Sequence, residues 1–348
     1  MRVLFHVLDA GVGGGQLVAR RVAEALVERG DSVGLVVAGD GPLVDAFGEL
    51  GAQVTGLQLA ELRQPQAALR ARGLVATYDV LYSHTSAPGQ IVCATAAMLA
   101  RRPHVAHQHT VPYFSTRAAR GAAQRQLFRV ATRGTRFIAV AEHVAAGLHA
   151  SGVDADRITV IPNGVPLHEL SASRAPGPLR VGMVARLDPN KGLETFIEAA
   201  RATAGAQFSI AGRTGPDAAY DRTIRAQAAA AGVEIVEAAG DDFLGSVDIA
   251  VLPSRHEGSP LALLEAMAAG RTVVASDIPG VREVLAGEAG VLVPVGDAGA
   301  VARAVERLTD DHTRAEYGAR ARAVIESRYR LDQMTGRAID ILDGAVRG

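Results

Sequence analysis

Short apolar runs alternate with helix-type patterns along most of this chain, and that alternation limits the folds open to it. The helix-type patterns are represented by Leu17–Arg29, where Val18, Val22 and Leu26 recur at helical spacing and Gly30 follows the last turn. The apolar runs of the first half have the length of strands: Val3–Leu8, Ser32–Ala38, Gln53–Leu59, Val80–Ser83, His104–His107, Phe137–Ala141 and Ile158–Ile161. Strands and helices in alternation predict a parallel, doubly wound sheet.

The alternation pauses once and then resumes. Residues 165–178 are rich in proline, serine and glycine, so we expect a linker there. Further strand-length runs follow: Leu179–Ala185, Gln207–Ala211, Val233–Val236, Ile249–Leu252, Thr272–Ala275 and Gly290–Val293. Helices are expected to end the chain, at Thr313–Ser327 and about Asp332–Arg347. We therefore predict two Rossmann-like domains, residues 1–164 and 179–330, with a ligand cleft between them.

Composition excludes several classes of protein. The formal net charge of −1 gives no general attraction to nucleic acid or to anionic membranes. Cys93 is the only cysteine, which excludes an internal disulfide and a cysteine-based metal site. The opening run MRVLFHVLDAG is typical of a buried strand rather than a signal peptide, and no apolar stretch is long enough to span a bilayer. A cytoplasmic location is expected.

One stretch, PSRHEGSPLALLEAMAAG, carries the strongest chemical signal. Ser259 and Pro260 are typical of an N-cap and a first helical position, so a helix is predicted over Leu261–Ala269. The amide groups of Leu261 and Ala262 would lie at the positive end of the helix dipole, where a phosphate binds well.

Two glutamates, Glu257 and Glu265, flank this predicted phosphate site eight positions apart. Carboxylates would repel a phosphate, but they suit the hydroxyl groups on either side of one, as on a sugar and a ribose. A nucleotide sugar has this layout.

Lys191 is the only lysine in a chain that has 36 lysines and arginines together. Arg186 lies five residues earlier, in a loop after a predicted strand. Because arginine fills every other cationic position, the single lysine suggests a site that needs a compact ammonium group. The alternative is a solvated surface lysine.

These residues make the chain similar to family 4 of the retaining glycosyltransferases, and the resemblance runs nearly end to end. Its marks are GGGQLVARRVAEALVERGDSV, VIPNGV, VARLDPNKG, IAGRTGP, DIAVLPSRHEGSPLALLEAMAAG, and SDIPGVREVL followed by AGVLVPVGD. The Glu-x7-Glu spacing combined with the Arg and Lys loop is the most specific part. The resemblance implies the α/β fold called GT-B, in which two Rossmann-like domains face across a cleft. It also implies that a C-terminal helix at about 331–348 joins the N-terminal domain.

The resemblance implies roles for residues of the C-terminal domain. Glu257 would contact hydroxyl groups of the donor sugar, and Glu265 would contact the ribose. Arg186 and Lys191 would hold the diphosphate. The backbone of four residues would assist them: Ser259, Pro260, Leu261 and Ala262.

In the N-terminal domain the resemblance implies that Gly13 and Gly14 face the diphosphate and acceptor, and that His109 touches the transferred sugar. His84, His107 and Tyr113 are further candidates for contacts with the acceptor. His107 has an alternative orientation into the opposite layer of the sheet, and Tyr113 has an alternative place in the core.

The implied reaction moves a sugar from a nucleoside-diphosphate sugar, with a UDP-sugar favoured, to a hydroxyl acceptor. A donor phosphate oxygen takes the acceptor proton on the same face as the leaving diphosphate, whose charge Arg186 and Lys191 stabilise. No metal ion and no cofactor are expected, since the nucleotide sugar is a substrate. The acceptor, the sugar, the base and the linkage stay open.

Other interpretations compete with this one. A non-catalytic partner subunit that binds a nucleotide sugar, a sugar epimerase and a sugar-phosphate synthase would share the donor signals. A dehydrogenase is disfavoured, because the third glycine of a dinucleotide motif falls on Gln16. Asp154 and Asp156 resemble a metal-binding DxD motif, but they lie far in sequence from the donor residues, so a turn is favoured.

The segment 115–136 is strongly basic. It holds no acidic residue and six arginines: Arg117, Arg120, Arg125, Arg129, Arg133 and Arg136. Arg125, Arg129 and Arg133 are expected to share one helix face. A solvated surface is the simplest interpretation. The alternatives are peripheral contact with anionic lipid and recognition of an anionic acceptor.

Overall fold

The computed structural model describes residues 1–348 except 57–64, 168–176, 216, 238–239 and 286–287, and the backbone alone at 65–69 and 241. The described chain forms two units. Unit 1 comprises Met1–Asn163 and Asp332–Gly348, and unit 2 comprises Gly164–Leu331. Most of the predicted linker, 165–178, lies outside the described residues. Its first residue, Val165, forms an isolated parallel bridge with Arg330 of unit 2.

In the first part of the chain, strands and helices alternate as predicted. The strands are β1 Arg2–Val7, β2 Ser32–Val37, β3 Gln53–Gly56, β4 Val80–His84, β5 His104–Gln108, β6 Thr135–Ala139 and β7 Ile158–Val160. The helices are α1 Gly14–Glu28, α2 Pro42–Glu49, α3 Pro65–Ala76, α4 Ala87–Ala100, α5 Ala118–Ala131 and α6 Glu142–Ala150.

The second part repeats the alternation. Its strands are β8 Leu179–Arg186, β9 Ala206–Arg213, β10 Glu234–Val236, β11 Ile249–Leu252, β12 Thr272–Ser276 and β13 Val291–Val293. Its helices are α7 Leu193–Ala202, α8 Ala218–Ala230, α9 Gly240–Ser246, α10 Leu261–Ala268, α11 Pro279–Leu285, α12 Ala298–Arg307 and α13 Asp311–Arg328. The last helix is α14, Leu331–Arg347.

Each unit contains one parallel sheet, which confirms the predicted doubly wound α/β folds. In the described residues, the strand order is β3-β2-β1-β4-β5-β6-β7 in unit 1 and β10-β9-β8-β11-β12-β13 in unit 2. The chain direction across the sheet reverses between β1 and β4, and again between β8 and β11. Ligands of such sheets bind outside the carboxyl ends of the strands at these reversal points.

The central strands β1, β2, β4, β5, β11 and β12 are almost wholly buried, as is typical of parallel sheets that helices cover on both faces. In unit 1, Phe5 of β1 packs edge-to-face on Phe47 and on Tyr82, with ring centroids 5.3 and 5.2 Å apart. In unit 2, Phe196 of α7 packs in the same way on Phe208 of β9, at 5.3 Å. These packed cores give the loops at the strand ends a fixed support.

Helix α14 completes unit 1 from the far end of the chain. Its Ala338 and Leu342 are fully buried. The Asp343 carboxylate accepts two hydrogen bonds from the Arg29 guanidinium, at 2.9 and 3.0 Å, and Arg337 donates to the carbonyl of Val160 at 2.7 Å. Within the part of the chain that the structure describes, no helix combines the length and apolar character needed to cross a membrane.

Candidate functional site

Arg186 is the last residue of β8, and Lys191 lies in the loop that follows. The shape of this loop follows from three neighbouring residues. Asp188 begins a single 3₁₀ turn, where its carboxylate accepts a hydrogen bond from the amide of Asn190 at 2.9 Å. Gly192 then has φ +70°, a conformation that favours glycine. A Cβ atom at Gly192 would lie 2.1 Å from the carbonyl oxygen of Pro253. The turn therefore presses closely against the loop that follows β11.

Asn190 joins these two loops by a pair of hydrogen bonds. Its side-chain amide donates to the carbonyl of His256 at 2.8 Å, and its own carbonyl accepts from the amide of Arg255 at 2.8 Å. The carboxyl ends of β8 and β11 meet at the reversal point of the unit 2 sheet, so both loops lie where a ligand of such a sheet binds.

Lys191 and Glu257 meet at this junction. The Lys191 ammonium donates to Oε1 of Glu257 at 2.7 Å, and 27% and 11% of their respective side chains are exposed. Arg186, at the end of β8, is paired with Asp188 at 3.0 Å and is far more exposed. The structure thus brings two of the predicted site residues into contact and places a third at the end of the strand that precedes Lys191.

The start of α10 differs in detail from the prediction. Pro260 has an extended backbone and occupies the N-cap position, so the prediction of Ser259 as N-cap and Pro260 as first helical residue is wrong by one position. The first intrahelical bonds run from Leu263 and Leu264 to the carbonyl of Pro260. The amides of the two helical residues before them, Leu261 and Ala262, therefore lie in the first turn, at the positive end of the helix dipole.

Glu265 lies one turn further along α10 and is half-buried. A Cβ atom at Gly240, the first residue of α9, would lie 3.8 Å from a carboxylate oxygen of Glu265. The segment VEIVEAAGDDF, from Val233 to Phe243, therefore reaches Glu265 at its Gly240. Residues 238 and 239 of that segment lie outside the described residues.

Sequence reasoning missed several residues that shape the site. Asp188 and Asn190 are two of them; an aspartate before a proline at a turn start was the available signal. A Cβ atom at Gly280 would lie 2.6 Å from the carbonyl oxygen of Glu257, and one at Gly215 would lie 1.8 Å from that of Leu187. Both glycines stand in motifs, SDIPG and IAGRTG, whose backbone role only the folded chain reveals.

In unit 1, the predicted glycines start helix α1 after β1. Gly13 is the N-cap and Gly14 the first helical residue, and the amide of Leu17 donates to the carbonyl of Gly13 at 2.9 Å. The Gln16 side chain donates to Asp9 at 2.9 Å. Because β1 borders the reversal point of this sheet, the helix start also lies at a ligand-binding edge.

Three histidines cluster at the carboxyl ends of strands β4 and β5. His84 is the last residue of β4, and its Nδ1 lies 3.0 Å from Nε2 of His109, just after β5. His107 stacks on His109 with ring centroids 4.7 Å apart, so the alternative orientation of His107 into the opposite layer is wrong. The reason is that residues two apart on a strand face the same side.

Burial decides the charge state of this cluster. Loss of hydration lowers the pKa of His109 to about 4 and holds the pKa of His84 and of His107 well below the usual value. All three rings are therefore neutral near pH 7. His107 is fully buried, His84 is nearly so, and the half-buried His109 borders Gly15 of α1.

The remaining candidates lie on the surface. Tyr113 is 75% exposed, so the alternative of a core position is wrong. Asp154 precedes a 3₁₀ turn at 155–157 and pairs with Arg157 at 3.1 Å. The basic segment forms α5 with its arginines exposed, but the helix ends at Ala131, so Arg133 lies beyond the predicted shared face.

Comparison with protein families identifies the chain. The model described as Glycosyltransferase Family 4 matches residues 12–169, and the model described as Glycosyl transferases group 1 matches residues 178–311. The chain belongs to family 4 of the glycosyltransferases. The predicted family is therefore confirmed. The first match ends six residues beyond unit 1, and the second lies within unit 2.

Curated relatives match parts of the chain. It is 33% identical over 207 residues to the putative colanic acid biosynthesis glycosyltransferase WcaL of Salmonella typhimurium, covering 54% of this chain and 50% of that protein. It is 28% identical over 273 residues to the UDP-Gal:alpha-D-GlcNAc-diphosphoundecaprenol alpha-1,3-galactosyltransferase of Escherichia coli, covering 67% of each. The chain spans half or less of the length of the first such relatives.

Solved structures share the whole fold. The crystal structure of Anabaena HepE in complex with UDP-glucose superimposes with a TM-score of 0.85 at 20% identity, covering 99% of this chain and 100% of that one. Sucrose-phosphate synthase from Thermosynechococcus elongatus gives a TM-score of 0.79 at 18% identity, with 98% of each chain covered. These likenesses confirm the two-domain GT-B fold.

Proposed function

We propose that this chain transfers a sugar from a nucleoside-diphosphate sugar to a hydroxyl acceptor, with retention of configuration and without a metal ion on the diphosphate. The observation that carries the proposal is the meeting of Lys191 and Glu257 at 2.7 Å beside the start of α10. Membership of family 4 supports the reaction class.

The chemistry of the unit 2 site suits a leaving diphosphate. As the bond from the sugar carbon to the diphosphate breaks, negative charge develops on the phosphate oxygens. An ammonium group has three N–H donors, so Lys191 can hold a phosphate oxygen while it keeps its hydrogen bond to Glu257. Arg186 can leave Asp188 and bind a phosphate oxygen at little cost in free energy, because exposed ion pairs contribute little to stability.

The proposed transfer needs no protein nucleophile. The acceptor oxygen bonds to the sugar carbon on the face that the diphosphate leaves, and the acceptor proton passes to the departing phosphate oxygen. Glu257 would hold the donor sugar, and Glu265 the ribose, beside Gly240. The contacts of Gly13, Gly14 and His109 with donor or acceptor, and those of His84, His107 and Tyr113 with acceptor, stay predictions.

A UDP-sugar is the donor that we propose. The Escherichia coli relative is named as a transferase that uses UDP-Gal, and the Anabaena protein was crystallised in complex with UDP-glucose. The test is a thermal-shift panel of UDP, GDP, ADP and TDP sugars, since a ligand that binds only the folded state raises the melting temperature. A shift with UDP-sugars is expected, and a shift confined to another base would overturn the choice.

Donor turnover tests the catalytic proposal itself. We expect slow hydrolysis of the donor without an acceptor, and its loss in Glu257→Ala and Lys191→Ala. Glu306→Ala, on the exposed side of α12 in the same unit, is the matched control and should leave hydrolysis unchanged. Tight donor binding with no turnover towards water or any acceptor would instead favour a non-catalytic partner subunit.

We also propose that α5 makes peripheral contact with anionic lipid. Its Arg125 and Arg129 are exposed together with Leu127 and Val130, of which 55% and 44% are exposed. Cationic and apolar side chains on one exposed helix suit a negatively charged interface. Binding to anionic but not neutral vesicles, reduced in Arg125→Gln/Arg129→Gln, is expected. Equal binding to both kinds of vesicle, or to neither, would exclude the contact.

A further inference from the structure

We propose that His84, His107 and His109 form a binding site for a divalent transition-metal ion, with zinc as the expected ion. One ring nitrogen of each histidine lies within 4.8 Å of those of the other two. Across the described ranges of the chain, no other group of three His, Cys, Asp or Glu side chains has such a spacing. The inference concerns unit 1 alone and does not depend on the proposed transferase activity.

The sheet itself brings these three side chains together. Strands β4 and β5 are parallel neighbours, and Ser83 pairs with Ala106, so His84 lies beside His107. His107 and His109 are two residues apart and point to the same face. The ring centroids are 5.0 Å apart for His84 and His107, and 5.2 Å for His84 and His109. The site is therefore built on two rigid strand ends and not on a long loop.

The polar atoms of the cluster are only partly satisfied. Nε2 of His107 is buried and has no hydrogen-bond partner among the described residues. A buried polar atom without a partner costs free energy, and such an atom needs an explanation. A metal ion would use the lone pair that a neutral imidazole leaves free.

Tyr82 supports His107 from the side away from this free nitrogen. Its hydroxyl lies 2.6 Å from Nδ1 of His107. When Nδ1 carries the proton and donates it to the tyrosine oxygen, the lone pair of Nε2 is available to coordinate. Histidines that bind metals commonly have such a partner on the second ring nitrogen.

The spacing is close to that of a real site. Nδ1 of His84 and Nε2 of His109 are 3.0 Å apart, whereas two ligands of a tetrahedral zinc ion are separated by roughly 3.3 Å, given zinc–nitrogen bonds of about 2.0–2.1 Å. The rings are stacked, so their lone pairs converge only after the rings turn about the Cβ–Cγ bonds.

The ligand set selects the kind of ion. Imidazole nitrogens suit zinc, cobalt, nickel and copper, whereas magnesium and calcium prefer oxygen ligands. Three neutral imidazoles leave the charge of the ion uncompensated, so hydroxide or another anion would occupy a fourth position on the side of the half-buried His109. No metal ion is expected from the sequence in the transfer reaction, and that expectation concerns carboxylate ligands beside phosphates. It does not concern a group of imidazoles.

The test is a cobalt titration of the full chain, prepared without a polyhistidine tag and followed by visible absorption. We expect a single tight equivalent of Co²⁺ with the intense bands of a four-coordinate ion, displaced by Zn²⁺ but not by Mg²⁺. His109→Gln should weaken binding more than tenfold, since even the loss of an outer-shell partner costs about 10–100-fold. His312→Gln on α13, an exposed histidine, is the matched control and should leave binding unchanged.

A second measurement covers the case in which a variant folds poorly. X-ray absorption at the zinc edge of the loaded, unaltered protein should show scattering from three imidazole rings. Tyr82→Phe should fold, because it removes only the hydroxyl, and should bind the ion more weakly. Absence of tight Co²⁺ binding, binding that His109→Gln leaves intact, or a spectrum with oxygen ligands alone would overturn the proposal.

Discussion

At the scale of single residues, Lys191 is the most direct test of the donor site. A planar guanidinium cannot reproduce a compact ammonium that is packed against Glu257 at 2.7 Å. We expect Lys191→Arg to lower donor turnover by roughly 10²–10³-fold, the usual cost of losing one group that stabilises developing negative charge. Steady-state kinetics measures this, with Arg303→Lys on the exposed side of α12 as control. Unaltered turnover in Lys191→Arg would mean that the lysine is incidental.

Gly192 offers a second test, because the chain contains a matched glycine. Gly192 and Gly205 have similar backbone conformations, with φ +70° and +75°, but a Cβ atom at Gly205 would meet nothing within 4 Å. Both alanine variants should lose about 1–2 kcal/mol of unfolding free energy from the positive φ. Gly192→Ala should lose more, and also donor binding, because it displaces the carbonyl of Pro253. Urea unfolding and the donor-induced thermal shift measure both, and equal losses would contradict the close contact.

Site residues could be predicted from the sequence where a residue type was rare in the composition or where the spacing of a pair was distinctive. Lys191 and the Glu257 block were found in this way, and the structure brings them into contact. Asn190 was not, because it acts by joining two loops 66 positions apart through a backbone carbonyl. Such contacts exist only once both loops have a shape.

At the scale of elements, α14 shows how much one helix contributes to the stability of unit 1. Leu342 is fully buried in unit 1, whereas 41% of Val346, one turn later, is exposed. We expect Leu342→Ala to lower the unfolding free energy by about 2–5 kcal/mol, and Val346→Ala to change it by less than about 0.5 kcal/mol. Urea unfolding followed by circular dichroism compares the two. Similar losses would mean that the buried face of α14 has been misassigned.

Helices and strands were predicted well where the periodic apolar pattern extended over many residues, and less well at their ends. The run Leu17–Arg29 identified α1, but the helix begins three residues earlier, at Gly14. Its first turn begins with two glycines, which carry no periodic signal. At α10 the predicted helix begins correctly at Leu261, but the N-cap was assigned one residue too early, because Pro260 adopts an extended conformation. The preferences of serine for the N-cap and of proline for the first helical position are overridden there by the packing of the loop before α10.

At the scale of the whole molecule, buried histidines make stability depend on pH. Burial lowers the pKa of His6 to about 4 and that of His104 to about 3, below the usual value of 6.5. As the pH falls below 6.5, the unfolded chain takes up protons that the folded protein does not, so stability decreases. Each such group should cost about 1.4 kcal/mol per pH unit between pH 6.5 and its lowered pKa.

Urea unfolding at pH 7, 6 and 5 measures this loss. The substitution His6→Leu removes one of the groups and should flatten the decline, whereas His312→Gln at an exposed position should leave it unchanged. Stability that rises towards acid pH, or a slope that His6→Leu does not alter, would contradict the assignment.

The return of α14 to unit 1 also sets an order of assembly during synthesis. Residues 164–331 form one uninterrupted stretch, so unit 2 can fold as soon as it has left the ribosome. The sheet of unit 1 is made earlier but lacks helix α14, whose Leu342 and Ala338 are buried in this unit, until residue 347 has been added. For the time needed to translate the whole second half, at roughly 5–20 residues per second, the older unit carries an open apolar groove. The half made first is therefore finished last.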